Sequence, residues 1–325
     1  MRAVLRLLAV ASCVGALPAV EGLMAAFDPR PMPERIAWRA SAEAGAQAEA
    51  DDRDGSGALA FDRESAALSW LGLRGEADEV WLRGQAQHIG ITGDAQLASG
   101  ASPAGDYYEF TAMGMWKHRL GDGDLVGGMA NLKRDGQAPL TRGMEWGANA
   151  TLFGRVGLGA DGADGLLLAL NYDADRIYFG SLPLMPMVAW QGVRGPWVLL
   201  VGAPFSMITY RAEDWKASAV VGPLPSLSAD HRLHGPLRAM AEVRWAKLQM
   251  RRMYRAEHDD RLTLSQWETS CGLRLEAGPA IGCDLLLGIA TARRLGEDDQ
   301  DADARRDGIA LEPAPFAAFR GRIAF

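Results

Sequence analysis

Ala317-Ala318-Phe319-Arg320-Gly321-Arg322-Ile323-Ala324-Phe325 is the stretch whose reading decides the fold. Side chains of a strand alternate with period 2. Phe319, Ile323 and Phe325 therefore share one face with small Ala317 and Gly321, and Arg320 and Arg322 share the other. An apolar face, a charged face and a final aromatic suit a strand standing between lipid and a wet lumen. The last strand of a soluble sandwich would alternate in the same way, so the remainder of the chain must choose.

Working outward, the same period recurs in segments of about ten residues divided by Gly, Asp and Pro clusters. Ile36, Trp38 and Ala40 oppose Arg35, Arg39 and Ser41. Val80, Leu82, Gly84 and Ala86 oppose Arg83, Gln85 and Gln87, and Tyr108 to Trp116 alternate with Glu109, Thr111, Met113 and Lys117. Trp146, Ala148, Ala150 and Leu152 oppose Glu145, Gly147, Asn149 and Thr151. Leu237 to Trp245, Trp267 to Leu275 and Ile281 to Ile289 continue the pattern. Polar positions inside these segments are often charged, of both signs, or Gly, as a narrow barrel interior requires.

Connections alternate short (Arg74–Asp78, Leu120–Gly123, Gly159–Asp164, Arg194–Pro196, Ala277–Pro279) and long (Gly45–Gly57, Ile91–Gly105, Asp135–Gly143, Ala174–Pro183, Arg252–Asp260, Leu295–Pro313). Short periplasmic turns and longer outer loops give this rhythm. It breaks once, because Arg211–Asp214 is short where an outer loop is due and Gly222–Pro236 is long where a turn is due. The expected fold is all-β, an antiparallel transmembrane β-barrel of about 12–14 strands. Trp116, Trp197, Trp215 and Trp267 near segment ends suit interfacial girdles. The acidic stretches Glu43–Asp54 and Glu297–Asp307 are expected as solvated outer loops.

The chain has 325 residues and a formal charge of −7. Met1 to Leu17 joins a basic tip to an apolar run too short to span a membrane, the pattern of a secretory signal peptide. Cleavage after Ala16 or after Gly22 both fit, and Val10-Ala11-Ser12-Cys13 has the form of a lipid-attachment box. The expected division is a signal peptide over 1–22, a segment over 23–57 holding a first strand and an acidic Ala-rich loop, and a barrel over 58–325. An acidic chain without a Lys/Arg cluster argues against nucleic acid as partner. Ile177 to Tyr210 is apolar, but Pro183, Pro186, Pro196 and Pro204 break any spanning helix.

Cys271 and Cys283 allow one disulfide and no framework. Strands pairing about Gly278 would set Cys271 opposite Leu285 and Cys283 opposite Leu273. That diagonal, about 7–8 Å, exceeds disulfide reach, so two reduced, lipid-facing thiols are expected; a one-residue slip per strand would bring the sulfurs together.

Catalytic chemistry is sparse. His88 and His118 end strands. His231 and His234 lie three apart in a Pro-flanked loop, outside helical ligand geometry, and His258 lies in an outer loop. No Gly-x-Ser-x-Gly is present, and Gly154 to Gly159 lacks the βαβ setting of a phosphate loop. No catalytic, cofactor or metal site is assigned. Charge is what the lumen offers: Arg83, Glu109, Lys117, Glu145, Asn149, Arg155, Asn171, Asp173, Glu242, Arg244, Glu268, Arg274, Asp284, Arg320 and Arg322 are expected to line it. They would either pair and fill a small barrel or line a passage that selects solutes by charge.

The final strand, with Phe319, Ile323 and Phe325, resembles the C-terminal signature of bacterial outer-membrane barrels, whose terminal aromatic the assembly machinery reads. Leu182-Pro183-Leu184-Met185-Pro186-Met187-Val188-Ala189-Trp190, then Gly195-Pro196-Trp197-Val198-Leu199 and Pro204-Phe205-Ser206-Met207-Ile208-Thr209-Tyr210-Arg211, resemble an uncharacterised outer-membrane β-barrel family of Gram-negative bacteria, defined only as a domain of unknown function. The resemblance runs from about residue 60 to the end. It implies an outer-membrane location, with lipid, lipopolysaccharide and the assembly machinery as partners, and supplies no catalytic residues. A structural barrel or porin-like passive passage of small solutes is the expected role. A lipid-modifying enzyme and a soluble periplasmic β-sandwich are the alternatives.

Overall fold

A computed structural model describes residues 38–53, 55, 57–97, 99–121, 123–137, 145–159, 164–173, 184–251, 261–278, 280–298 and 307–325, with 145, 298 and 307 by backbone alone. The signal-peptide segment, Cys13, His258 and much of the long connections lie outside the described residues.

Within them the alternation becomes strands β1 (Trp38–Asp51), β2 (Ala58–Arg74), β3 (Asp78–Gly93), β4 (Gly105–Gly121), β5 (Asp124–Gly136), β6 (Glu145–Leu158), β7 (Asp164–Asp173), β8 (Leu184–Arg194), β9 (Trp197–Ala203), β10 (Ser206–Arg211), β11 (Trp215–Val221), β12 (Ser226–His234), β13 (Leu237–Met250), β14 (Arg261–Ala277), β15 (Ile281–Asp298), β16 (Asp307–Leu311) and β17 (Ala314–Ala324). Each strand pairs antiparallel with the next from β1 to β15. β15 then pairs with β17, and β17 pairs back on β1 from Arg39↔Ala324 to Gln47↔Phe316. Trp38 and Phe325 finish the seam by exchanging backbone hydrogen bonds of 2.8 and 3.0 Å. The ring is closed, and closure leaves no sheet edge for lipid to meet.

The wall holds 16 strands, with one extra, rather than 12–14. β16 runs along the upper end of β15, from Arg293↔Leu311 to Glu297↔Asp307, and β17 replaces it lower down at Ala290↔Ala314. The undercount has a physical source. Between Trp197 and His234 four strands of 7, 6, 7 and 9 residues are joined by minimal connections. Segments that short carry too few alternations to be separated by pattern. The break in rhythm disappears with them, since Gly222–Pro236 contains the whole of β12, and Arg211–Asp214 is an ordinary turn at the end where the chain termini meet.

The first strand is also longer than expected. Glu43 to Asp51 is strand, not acidic loop. Ala40-Ser41-Ala42-Glu43-Ala44-Gly45-Ala46-Gln47 alternates strictly, but its apolar partner is alanine, the weakest signal of an outward face. Among the described residues the barrel wall therefore includes β1 from Trp38, ahead of the expected 58–325.

Turns at the terminal end are tight. Gly195 takes φ +56° before Pro196, and Gly235 takes φ +52° before Pro236. Pro cannot follow with a positive φ, so each pair supplies the II′-type twist that matches right-handed strands. Just inside these turns stands an outward ring of aromatics. Trp38 stacks on Trp70 at 5.6 Å, Trp197 meets Tyr210 at 4.9 Å and Trp215 stacks on His231 at 4.3 Å. Trp116 stacks at 6.2 Å on His118, which Asp78 holds at 2.9 Å. Trp245 and Trp267, with centroids 5.4 Å apart, stand higher on the wall. Between the aromatics the outward positions are exposed and apolar, among them Leu68, Leu82, Leu152, Leu168, Leu285, Leu287 and Ile323. A wall with an apolar outer face girdled by aromatics, and with its charged residues turned inward, is the build of a transmembrane barrel.

Cys271 and Cys283 are free and on this outer face. The β14–β15 hairpin turns one residue later than Gly278, so Cys271 faces Leu287 and Cys283 faces Leu275. The sulfurs sit four residues apart along the strands, about 13 Å at 3.3 Å per residue. That is farther than the diagonal the sequence suggested, and a bridge would need a larger slip.

His231 and His234 lie in β12 rather than in a loop. His88 Nε2 donates to Asp106 at 2.9 Å on the outer face of β3.

Candidate functional site: the barrel interior

The inward positions divide into two sectors of opposite chemistry. From β12 through the seam to β3 the interior is ionic. Arg320 of β17 reaches Glu43 of β1 at 2.9 Å and Glu242 of β13 at 3.1 Å. Arg244 holds Glu268 at 2.6 Å, and Gln266 donates to the same carboxylate at 2.7 Å. Arg274 forks onto Asp284 with bonds of 2.7 and 2.8 Å, and Asp230 sits 3.7 Å from the same guanidinium. Glu43, Glu242, Glu268 and Asp284 are 2, 3, 6 and 8% exposed. Carboxylates this dry persist only with cations against them, and consecutive strands deliver those cations because inward residues of paired strands stand opposite each other.

Higher up, Arg293 is 1% exposed. It donates to Gln47 at 3.1 Å, to Gln266 at 3.3 Å and to the Glu312 carbonyl at 3.2 Å, with its guanidinium 5.1 Å from the Phe61 ring. Near the turns Lys117 meets Glu79 at 2.9 Å and Arg119 meets it at 2.8 Å.

From β3 to β11 the interior also carries an apolar belt, set among inward polar groups such as Lys133, Asn149, Asn171 and Asp173. Trp81, Met115, Leu125, Phe153, Leu167, Leu200, Met207 and Val220 form one buried cluster. This sector was not read from sequence. Its signal is the absence of alternation in Gly165-Leu166-Leu167-Leu168-Ala169-Leu170 and Val198-Leu199-Leu200-Val201, runs apolar on both faces, as strands buried on both sides are.

The structure sets Arg83, Glu109, Lys117, Asn149, Arg155, Asn171, Asp173, Glu242, Arg244, Glu268, Arg274, Asp284, Arg320 and Arg322 on the inward parity of their strands. Glu145 falls on the same register by backbone, opposite Asp135. They do not form one ring. Arg244, Glu268, Glu242 and Arg320 join one network, and Arg274 and Asp284 join a second. Glu109 pairs with Lys133 at 3.0 Å on the far wall, and Arg155 donates to Gln191 at 3.1 Å inside the apolar sector. Arg322 bonds Glu276 at 2.7 Å at the exposed rim. Phe319 and Ile323 face outward and Phe325 closes the seam.

At the loop end, among the described residues, one connection turns into the interior. Ala95 and Leu97, from the connection after β3, are 0 and 2% exposed. They pack with Leu59, Phe61, Ile91, Tyr107, Met250, Leu262, Leu264, Leu295, Ile309 and Leu311, drawn from β2 to β4 and β13 to β16. The loop is tied down by Ala58 donating to Asp94 at 2.9 Å, Tyr107 Oη donating to the Pro103 carbonyl at 2.8 Å, and Ser99 donating to Glu297 of β15 at 3.4 Å. Beside it Arg251, the residue after β13, reaches Asp135 of β5 at 3.3 Å. β5 and β13 stand on opposite sides of the ring, so one ion pair spans the mouth. Porins of 16 to 18 strands leave an aqueous channel; here, among the described residues, side chains and an inturned loop enter that space.

No family model matches the chain and no curated relative is similar to it in sequence. The resemblance to a barrel family of unknown function therefore rests on the quoted motifs alone. Solved structures similar to it are outer-membrane barrels. The translocator domain of the autotransporter NalP from Neisseria meningitidis is 11% identical, with 94% of each chain covered and a TM-score of 0.34. An outer-membrane channel from Pseudomonas putida F1 is 11% identical over 91% of this chain and 100% of that one, with a TM-score of 0.37. A deletion mutant of the monoaromatic hydrocarbon channel TodX is 9% identical over 98% and 96%, with a TM-score of 0.42. Likeness at this level is of general architecture only. The closed ring, the apolar outer face and the aromatic girdle make the chain an antiparallel transmembrane β-barrel, and the soluble sandwich is set aside.

Proposed function

We propose that this chain is an outer-membrane barrel held shut at rest, a structural or gated barrel rather than a porin with a standing water-filled passage. The inturned loop carries this reading: Ala95 and Leu97 are buried among inward side chains at the mouth. The dry ionic sector supports it, because an aqueous passage would hydrate those carboxylates. On this reading residues 1–22 are the export signal, lipid and lipopolysaccharide surround the wall, and the seam strand with Phe319, Ile323 and Phe325 is what the assembly machinery engages. Porin-like passage of small solutes then requires the loop to leave.

One experiment covers location and state. Fractionation of a Gram-negative host should place the protein in the outer membrane. Once folded into planar bilayers, the wild type should give no lasting single-channel step. The Ala95→Asp/Leu97→Asp variant puts two charges into the apolar cluster and should give frequent openings. Steady porin-like steps from the wild type would contradict the reading, as would recovery of the chain from the periplasm.

A further inference from the structure

We propose that acyl chains of the surrounding lipid pass over a low rim in the wall at β9–β12 and lie against the apolar inner sector, making it a lipid-chain binding site. The inference rests on the reading of the chain as a membrane barrel.

The wall is uneven in height. At the terminal end the strands finish level, with Trp197 opposite Tyr210 and Trp215 opposite His231. At the other end β8 and β13 rise above their inner neighbours: β9 stops opposite Val188, and β12 begins opposite Arg244, leaving Ala246 to Met250 above it. Outward residues of β10 run only from Tyr210 through Ile208 to Ser206, four steps or about 13 Å along the strand. The apolar band of such barrels is about 25 Å tall. Here the wall covers little more than half of it, before tilt shortens it further.

Two responses could meet that mismatch. The bilayer could thin until headgroups reach the rim, or hydrocarbon could extend across it. The rim's own residues decide between them. The β9–β10 connection is Pro204-Phe205, and the β11–β12 connection is Gly222-Pro223-Leu224-Pro225. Neither contains a charge, hydroxyl or amide side chain, and three of the six residues lack a backbone N–H. Beside them Ser206 Oγ folds back on Gly202, accepting from its N–H at 3.1 Å and donating to its carbonyl at 3.2 Å. Where no water is present an unsatisfied donor is costly, and this rim has shed three of its six backbone donors and folded back the nearest hydroxyl. The turn at the opposite end of the same strands, Ala212-Glu213-Asp214, is acidic and suits headgroups and water. The rim therefore sits in hydrocarbon.

Just inside it the inner face offers what a methylene chain needs. Leu200, Met207 and Val220 are 1, 9 and 6% exposed and belong to the apolar cluster. A crevice of about 10 Å³ lies among Leu167, Leu200 and Phe205, with Phe205 on its rim side. One inward step below, Thr209 and Ser218 share a hydrogen bond of 3.1 Å and form a polar floor. A chain entering over the rim has an apolar wall beside it and a defined depth.

The test uses the full-length protein folded in bilayers containing a phospholipid with a diazirine midway along one acyl chain. After photolysis and digestion, adducts are mapped by mass spectrometry. The expected result is labelling of inward Met207, Val220 or Leu200 as well as outward Ile208, Leu227 and Leu285. Phe205→Ala should raise the inward labelling several-fold and leave the outward labelling unchanged. Outward adducts without inward ones, in both proteins, would overturn the lipid site while leaving the membrane barrel standing. Loss of the outward adducts as well would overturn both.

Discussion

Glu79→Ala should destabilise the folded barrel by about 3–5 kcal/mol, the usual cost of breaking a buried ion pair by deleting one member. Glu79 and Lys117 are 0 and 1% exposed, on adjacent strands β3 and β4 in direct register. Removing the carboxylate leaves the Lys117 ammonium in a dry site beside Trp81 and Met115, and deprives Arg119 of an acceptor at 2.8 Å. Replacing both members, as in Glu79→Leu/Lys117→Met, removes the charge together with its partner and should recover most of the loss. Glu276→Ala is the comparison. Its pair with Arg322 is 36 and 55% exposed, and such pairs contribute about 0–1 kcal/mol. Urea titration of the folded protein in lipid vesicles reads all three. Equal stability of Glu79→Ala and Glu276→Ala would mean that the turn-end interior is wet.

Gly272→Ala should be more damaging still, with most of the protein failing to reach the folded form. A Cβ at Gly272 would lie 1.9 Å from the Leu285 carbonyl oxygen and 3.0 Å from the Leu286 Cα. Those are backbone atoms of the paired strand, so no side chain can swing aside. Overpacking against yielding side chains costs about 1–3 kcal/mol, and a backbone obstacle lies at or beyond the upper end. Gly84→Ala is the control. Its Cβ would meet nothing within 4 Å on the outer face of β3, and folding should be unchanged. Resistance of the folded barrel to detergent without heating separates the two, and equal folded fractions would show that β14 and β15 do not approach as closely as described.

Most of the wall was legible in the sequence because a lipid–water boundary enforces period 2 over long strands, as in Val80 to Gln87 or Leu237 to Trp245. Legibility failed where that boundary is blurred. In β1 alanine stands for the apolar face, so Glu43 looked like part of a solvated loop although it is buried against Arg320. In β9 to β12 the strands are too short for alternation to be counted. In β7 and β9 both faces are apolar, which hid the inner apolar sector. Part of the ionic sector, Glu242, Arg244, Glu268, Arg274, Asp284 and Arg320, was visible because charged positions inside alternating segments must face away from lipid, whereas Glu43, Glu79, Asp230 and Arg293 were missed. Its division into separate networks depends on register, which one residue in a turn can shift, as the Cys271 and Cys283 hairpin shows. The inturned loop was the least legible. Ala95 and Leu97 read as loop by composition, and only their burial reveals that the loop turns inward.

That inturned loop is the centre of the account, and the contact between Ser99 and Glu297 offers the most direct measurement of it. The two residues come from the β3–β4 connection and from β15, strands that are not neighbours in the wall, and their side chains meet at 3.4 Å. In a background with Cys271 and Cys283 replaced by alanine, Ser99→Cys and Glu297→Cys are joined with a short bifunctional thiol reagent while the protein is folded in bilayers. The account predicts near-complete intramolecular cross-linking, lost when Leu97→Asp is added. Two freely and separately reactive thiols in the otherwise unaltered folded barrel would contradict it, because the loop would then stand away from the mouth.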